Sequence, residues 1–560
     1  MRVASRLTGR IQLPSELTFV VGVPVLWLVL YNARFWRETV AVMWHPSPGS
    51  ALFIVSLFAF ALFAQVLLLV FLPRKLLRPV ACLLLLVSAL VAYFSDVYGV
   101  FMDKDMMRNV FATDPAEVSG LLTFKLFAYV VLLGLLPCLL IMRLELPATG
   151  WKQRLKQRAA LFLGLLAIAL LGVLASSSAY ASFFREHKSL RYLVNPISAI
   201  YGAASLWSSE SKSAHPQKLI DAGGPVTRIA TANTQGVAAK PLVLFLVIGE
   251  TARAANFQLG GYERATNPQL ESIADLIYFR HATSCGTATA ISLPCIFAPM
   301  GRKAFNVDTA RNSTNLLDML SKAGVDVEWH DNQSGCKGVC ARVKSIQYTN
   351  KIDSPLCKTD YCYDENMLSG MAARLNDLKR DTVFVFHQIG SHGPAYSLRY
   401  PPQFEVFEPA CKSSQLDQCS REEVRNAYDN TILYTDHNLA QQIELLRAAS
   451  DRVDSLFLYV SDHGESLGEN GVYLHGMPYA IAPDFQKQVP FMMWMSHGFP
   501  ARLGIDPQCV RSQENEVLSH DNIFHTVMGA LGVRNSVYQK DLDMFAACAH
   551  AGNMAFNRAF

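Results

Sequence analysis

Hydrophobic positions follow two different patterns along this chain. In the first third they form long unbroken runs; from about residue 241 onward, short apolar runs alternate with amphipathic stretches. A bilayer core takes about 20 mainly apolar residues per helix. Five stretches have that length: 17–38, 51–72, 79–99, 124–143 and 159–181. The first runs on into Trp36 with no small-residue cleavage site, so it predicts an uncleaved anchor rather than a signal peptide.

In the second pattern, Leu242–Ile248, Asp326–Trp329, Thr382–Phe386, Leu456–Val460 and Phe491–Met495 read as strands. Helical periodicity covers roughly 265–276, 313–323, 364–378, 421–449 and 516–531. Such alternation predicts an α/β sandwich with a mostly parallel sheet, large enough to bury a sizeable core. Between the two patterns, aromatic and basic residues (Phe183, Arg185, Lys188, Arg191, Tyr192, Trp207) suit short helices at a membrane interface, followed by a Ser/Ala/Gly/Thr linker. The chain is therefore expected to divide into a five-helix membrane domain (1–184), interfacial bridging helices with a linker (185–240) and an outer catalytic domain (241–560).

Composition adds direction. Hydrophobic residues make up 51% of the chain and charged ones 17%, while the formal charge of +4, with no long basic run, excludes a nucleic-acid binder. In the short loops, eleven Lys and Arg lie on one side of the five spans and five on the other. The positive-inside rule puts the N-terminus in the cytoplasm and the 241–560 domain outside. The cysteines agree. Cys82 and Cys138 fall inside apolar spans, but ten others lie between Cys285 and Cys548, many as close pairs (285/295, 336/340, 357/362, 411/419) without C-x-x-C spacing. They predict structural disulfides in an oxidising compartment, with Cys509 and Cys548 left to pair by elimination.

Three predicted strands end in a carboxylate or histidine beside glycine: Gly249-Glu250-Thr251, His387-Gln388-Ile389-Gly390-Ser391-His392-Gly393 and Ser461-Asp462-His463-Gly464. Ligands collect at the carboxyl ends of strands in open α/β sheets. Asp462 and His463, with His475 twelve positions further, offer oxygen and imidazole ligands to a metal. A fourth stretch, Ser284-Cys285-Gly286-Thr287-Ala288-Thr289-Ala290-Ile291, reads as a helix start carrying a threonine hydroxyl where an anion is favoured. Near a metal, such a hydroxyl is a candidate nucleophile toward phosphorus. In the outer loop after the third span, Asn109, Thr113 and Glu117 recur every fourth residue, as a polar stripe would on a helix.

Taken together and in this order, these motifs resemble the lipid A phosphoethanolamine transferases. These are membrane-anchored members of the alkaline phosphatase and sulfatase superfamily that include the mobile colistin-resistance enzymes. The resemblance covers nearly the whole chain. It implies a five-span helical membrane domain followed by an alkaline-phosphatase-like α/β domain. It also implies one tightly bound Zn2+ on Glu250, Thr289, Asp462 and His463, and a possible second. Thr289, rather than Thr287, matches the family's nucleophile. His392 and His475 match residues around the substrate phosphate or a second zinc, and His392 is an acid for the leaving group. Lys337 and Gln333 match head-group positions, Gln333 standing where some relatives have Asn. Asn109, Thr113 and Glu117 match a lipid-binding loop.

The implied activity is ping-pong transfer of phosphoethanolamine from phosphatidylethanolamine to lipid A by a monomer in the inner membrane of a Gram-negative bacterium, lowering sensitivity to polymyxins. Core sugars (Kdo or heptose), periplasmic glucans or phosphoglycerol transfer are the alternatives. A sulfatase-type hydrolase is disfavoured, because Cys285-Gly286-Thr287-Ala288-Thr289 lacks the C-x-P-x-R signature.

Overall fold

The computed structural model describes residues 11–113, 118, 121–213, 219–229, 240–348, 354–358 and 361–550. The chain forms two compact units: Met1–Met107 with Leu122–Trp207, and Arg108–Leu121 with Ser208–Phe560.

The first unit is helical. Its elements are α1 (Glu16–Leu30), α2 (Ala33–Met43), α3 (Pro48–Val70) and α4 (Arg74–Tyr98), followed by α5 (Lys104–Ala112), which runs from this unit into the second. After it come α6 (Phe124–Arg143), α7 (Trp151–Ala175), α8 (Ser177–Glu186) and α9 (Ile197–Ser213). Four of these, α3, α4, α6 and α7, are each long and apolar enough to cross a membrane. The expected first span, 17–38, is not one straight helix: α1 and α2 are bent by 66°. The cause is Asn32. Its buried side-chain amide donates to the carbonyls of Trp27 and Asn195, both at 2.8 Å, and accepts from the Asn195 N–H at 2.8 Å. A polar group that takes up carbonyls near a helix end gives a sharp kink an identifiable origin. The fifth span also differs from 159–181. It begins at Trp151, because Lys152, Arg154, Lys156 and Arg158 are good helix formers that carry the helix out past the apolar run. It ends at Ala175, where α8 starts a new helix.

The second unit holds a seven-stranded sheet. Its elements are β1 (Leu242–Gly249), β2 (Ile277–Phe279), α10 (Thr289–Ile296), α11 (Leu316–Lys322), β3 (Asp326–Asp331), β4 (Lys344–Gln347), β5 (Thr382–His387), α12 (Arg421–Ala448), β6 (Asp454–Ser461), β7 (Phe491–Met495) and α13 (Asp521–Ala530). The strand order is β2-β7-β6-β1-β5-β3-β4, and only β7 runs against its neighbours. The central strands are apolar throughout because both faces are covered. Leu242, Leu244, Leu246 and Ile248 pack with Leu293 of α10, Leu317 of α11 and Phe524 of α13. Val243, Phe245 and Val247 pack with Tyr428, Ile432 and Ile443 of α12.

All five expected strands form, as does the helix at 421–449, which a Ser420–Glu423 capping box starts. Four expected helices are shorter or broken: the 313–323 stretch is helical only over Leu316–Lys322. The 265–276 stretch is one turn, Pro268–Glu271, whose Gln269 and Leu270 N–H groups donate to Asp436. At 364–378 the chain breaks at Gly370, which takes a left-handed φ of 74°. At 516–531, Val517–Ser519 is a short strand and the helix begins only at Asp521. All five disulfides form: Cys285–Cys295, Cys336–Cys340, Cys357–Cys362, Cys411–Cys419 and Cys509–Cys548.

Strand register aligns one edge of the sheet. Gly249 of β1 pairs with Ser461 of β6, Ile248 with His387 of β5, and His387 with Asp331 of β3. β1 and β6 therefore end level, β5 and β3 end level one register position earlier, and the residue after each leaves the sheet at the same edge.

Candidate active site

Glu250 and Asp462 are the first residues beyond β1 and β6, and both are fully buried. Thr251 next to Glu250 is held at φ 53°, an uncommon conformation for a residue branched at Cβ. Its N–H donates to Asp462 Oδ1 at 3.3 Å, and its carbonyl accepts from the Tyr428 hydroxyl at 2.7 Å. Strain of this kind persists where surrounding contacts over-determine it. Gly390, at φ 49°, lets the loop after β5 lie against the backbone of Glu250: a Cβ there would come 2.8 Å from the Glu250 carbonyl oxygen. Thr289 is the first residue of α10, at the positive end of its dipole, and Cys285–Cys295 ties the preceding loop to the helix's last turn.

These elements bring four side chains together. Thr289 Oγ1 lies 3.2 and 3.1 Å from the two carboxylate oxygens of Glu250 and 3.4 Å from His463 Nε2. His463 Nε2 is in turn 3.4 Å from Glu250 Oε1 and 3.3 Å from Asp462 Oδ2. His463 Nδ1 donates to the carbonyl of Gly464 at 2.9 Å, which points Nε2 into the cluster. Burial and the neighbouring Glu250 charge push Asp462 up to about 6. Burial would depress His463, but Asp462 and Glu250 overcome it and raise it to about 10. Two buried carboxylates thus gather a positive charge between them, and Asp462 Oδ2 has no hydrogen-bond partner among the described residues. Ligand atoms of Glu250, Asp462 and His463 fall within 4.8 Å of one another, a donor set of oxygens and imidazole that fits a divalent cation such as zinc.

His475, His392 and Gln333 stand around this cluster. His475 stacks near His463, ring centroids 4.4 Å apart, and lies 5.6 Å from His392. Burial pushes His392 down to about 3, which favours its neutral form. Gln333 reaches the cluster directly, its Nε2 donating to Glu250 Oε2 at 2.8 Å. Lys337 shares that loop, but its ammonium is held by the Ser334 hydroxyl at 2.7 Å. Asn109 lies in α5, which ends at Ala112; Thr113 is just beyond, its hydroxyl donating back to the Asn109 carbonyl at 2.7 Å. Glu117 lies outside the described residues.

Three groups escaped the sequence reading. Glu465, fully buried, accepts from Tyr396 Oη at 2.7 Å and pairs with His475 Nδ1 at 2.8 Å, fixing that ring. Asp331 accepts from Trp329 Nε1 at 2.8 Å and meets His387 Nδ1 at 3.2 Å. His520 accepts the N–H of Cys285 at Nδ1 (3.0 Å) and donates from Nε2 to the Ser461 carbonyl (2.9 Å), joining the loop before α10 to the end of β6. Glu465 directly follows the Ser461-Asp462-His463-Gly464 stretch, a usable signal; nothing local marks His520.

A sulfatase family model matches residues 243–533, and a model described as phosphoethanolamine transferase EptA/EptB matches 57–210. The chain is 39% identical to phosphoethanolamine transferase EptA of Escherichia coli K12, over 84% of this chain and 85% of that protein. It is 41% identical to the phosphatidylethanolamine transferase Mcr-1 of Escherichia coli, over 81% and 83%. This chain belongs to the EptA/Mcr phosphoethanolamine transferases. The family resemblance extends to architecture: the integral membrane EptA of Neisseria meningitidis superposes with a TM-score of 0.90 at 34% identity, covering 96% of this chain and 99% of that one. The Kdo(2)-lipid A phosphoethanolamine 7''-transferase of Escherichia coli K12 is more distant, at 26% identity over 82% of this chain and 83% of that one.

Proposed function

We propose that this family member transfers phosphoethanolamine from phosphatidylethanolamine to a phosphate of lipid A through a covalent intermediate on Thr289. It would act as a monomer in the inner membrane of a Gram-negative bacterium, with residues 241–560 in the periplasm and 185–240 bridging them to the spans. The observation that carries the reading is the Thr289 hydroxyl, set at a helix start within 3.4 Å of both Glu250 and His463. Zn2+ held by Glu250, Thr289, Asp462 and His463 would supply positive charge for the phosphoryl oxygens and make the Thr289 hydroxyl more acidic.

Thr289 Oγ1 forms the bond to phosphorus as the bond to the diacylglycerol oxygen breaks. The proton that leaves Thr289 is the one the diacylglycerol oxygen needs. His392 and His475, the latter held by Glu465, would carry it. A lipid A phosphate oxygen then attacks the same phosphorus, Thr289 departs and recovers a proton, and the double displacement is complete. Gln333 and Lys337 serve the head group, and Asn109, Thr113 and Glu117 the lipid. The added ethanolamine cation lowers the negative charge that draws polymyxins to lipid A.

The higher identity to EptA and Mcr-1 than to the Kdo-modifying transferase favours lipid A over core sugars as acceptor. Mass spectrometry of lipid A from cells expressing wild type and Thr289→Ala tests both claims. Modified lipid A is expected with wild type alone. Unmodified lipid A with wild type would overturn the acceptor, and modified lipid A with the variant would overturn the nucleophile.

A further inference from the structure

The helical unit contains a cavity of about 410 Å³ between the end of α3, the start of α4 and the first three turns of α7. Its walls are apolar and aromatic. Phe71, Trp151 and Leu155 are 71%, 66% and 62% exposed, and Phe162 packs beside Phe71 with ring centroids 5.7 Å apart. Its charged lining is three arginines, Arg74, Arg154 and Arg158, and no carboxylate. Arg158 is already engaged: it pairs with buried Glu16 at 2.9 Å and donates to the carbonyls of Val70 and Leu72. Arg74 donates to the Leu146 carbonyl and has no carboxylate partner among the described residues. The Arg154 Nε is buried without a hydrogen-bond partner among the described residues. An orphaned guanidinium nitrogen costs free energy unless an acceptor arrives.

We propose that this cavity binds an anionic glycerophospholipid of the phosphatidylglycerol type. The phosphate sits between Arg74 and Arg154, and an acyl chain lies along Phe71, Leu155 and Phe162. Guanidinium forks suit phosphate oxygens, the start of α7 adds the positive end of a helix dipole, and the exposed aromatic walls match hydrocarbon. The chemistry selects against an ethanolamine head. Its ammonium needs a carboxylate or a carbonyl cage, and the lining offers cations instead. The cavity also lies at the end of the bundle where the loop lysines and arginines are concentrated, the side on which basic pockets between membrane helices meet anionic lipid. It is a separate site from Thr289 and stands whatever the acceptor of the transfer reaction.

Native mass spectrometry of the delipidated full chain in detergent, titrated separately with phosphatidylglycerol and phosphatidylethanolamine, tests the assignment. Wild type is expected to retain phosphatidylglycerol in preference to phosphatidylethanolamine, and the double variant Arg74→Gln/Arg154→Gln to lose that retention on the order of tenfold. Leu155→Trp, which fills the cavity and keeps both arginines, is expected to lose it as well. Lys75→Gln, exposed and outside the lining, should behave as wild type. Equal retention of the two lipids by wild type would overturn the proposal, as would undiminished retention in Leu155→Trp or in a double variant that unfolds at the wild-type temperature.

Discussion

Gln333 Nε2 donates a hydrogen bond of 2.8 Å to Glu250 Oε2, so the residue proposed to serve the substrate head group also holds a carboxylate of the candidate metal centre. The contact is itself supported. The Gln333 N–H donates to Asp331 Oδ1 at 2.9 Å, and Gln347 Nε2 donates to the Gln333 carbonyl at 2.7 Å. An outer-shell partner of this kind tunes a metal ligand's orientation and basicity. Gln333→Leu is therefore expected to weaken zinc binding about 10- to 100-fold, read by competition with a chromogenic chelator. Gln333→Asn, a methylene shorter, should fall between the two. Unchanged zinc affinity in Gln333→Leu would leave Gln333 as a substrate contact only.

If Thr289 carries the phosphoethanolamine group, wild type incubated with phosphatidylethanolamine and no acceptor should gain the mass of one such group, mapping to the peptide that contains Thr289. Thr289→Ser should gain it more slowly and Thr289→Ala not at all. A label on any other residue of the domain would contradict the proposed double displacement.

The Cys285–Cys295 bridge closes a loop of ten residues immediately around the nucleophile. Replacing both cysteines by serine is expected to cost about 2–4 kcal/mol of stability, seen as a lower thermal midpoint. Turnover should fall as well, because the start of α10 loses its clamp. The same double change at Cys411–Cys419 should lower the midpoint and leave the transfer rate per folded molecule near wild type.

His520 supplies a pH dependence. Burial holds its folded value at about 4, below the ordinary 6.5, since both ring nitrogens are committed to backbone partners as a neutral imidazole. A histidine depressed by folding contributes full stability above pH 6.5 and loses it as pH falls toward 4, where the unfolded chain takes up the proton first. The difference corresponds to on the order of 3 kcal/mol. Thermal unfolding between pH 7.5 and 4.5 should therefore flatten in His520→Gln relative to wild type. His525, depressed to about 4 as well, is present in both and cancels. Parallel curves would exclude His520 as the sensor.

Much of the fold and the site was legible from residue order because the chain uses strong local signals. Apolar runs mark the central strands, and the polar residues just past Ile248, Phe386 and Val460 are the ones gathered at the sheet edge. Disulfide pairing was equally readable, since four of the five bridges join cysteines ten or fewer positions apart. What sequence concealed is long-range. The bend after Leu30 depends on Asn195, which is 163 positions from Asn32. His520 acts through a loop 235 residues away, and His392 looks like any titratable histidine until its burial is known. The contact of Gln333 with Glu250 joins positions 83 residues apart, so nothing local announces it.

The level ends of β1 and β6 set a gauge for the metal centre. Because Gly249 and Ser461 are paired through the backbone, the separation of Glu250 and Asp462 is inherited from peptide spacing rather than chosen by side chains. Substitution around the site can then change its chemistry while leaving its width fixed. One inserted residue within β6 would do the opposite: every side chain kept, and the carboxylate carried to the other side of the sheet.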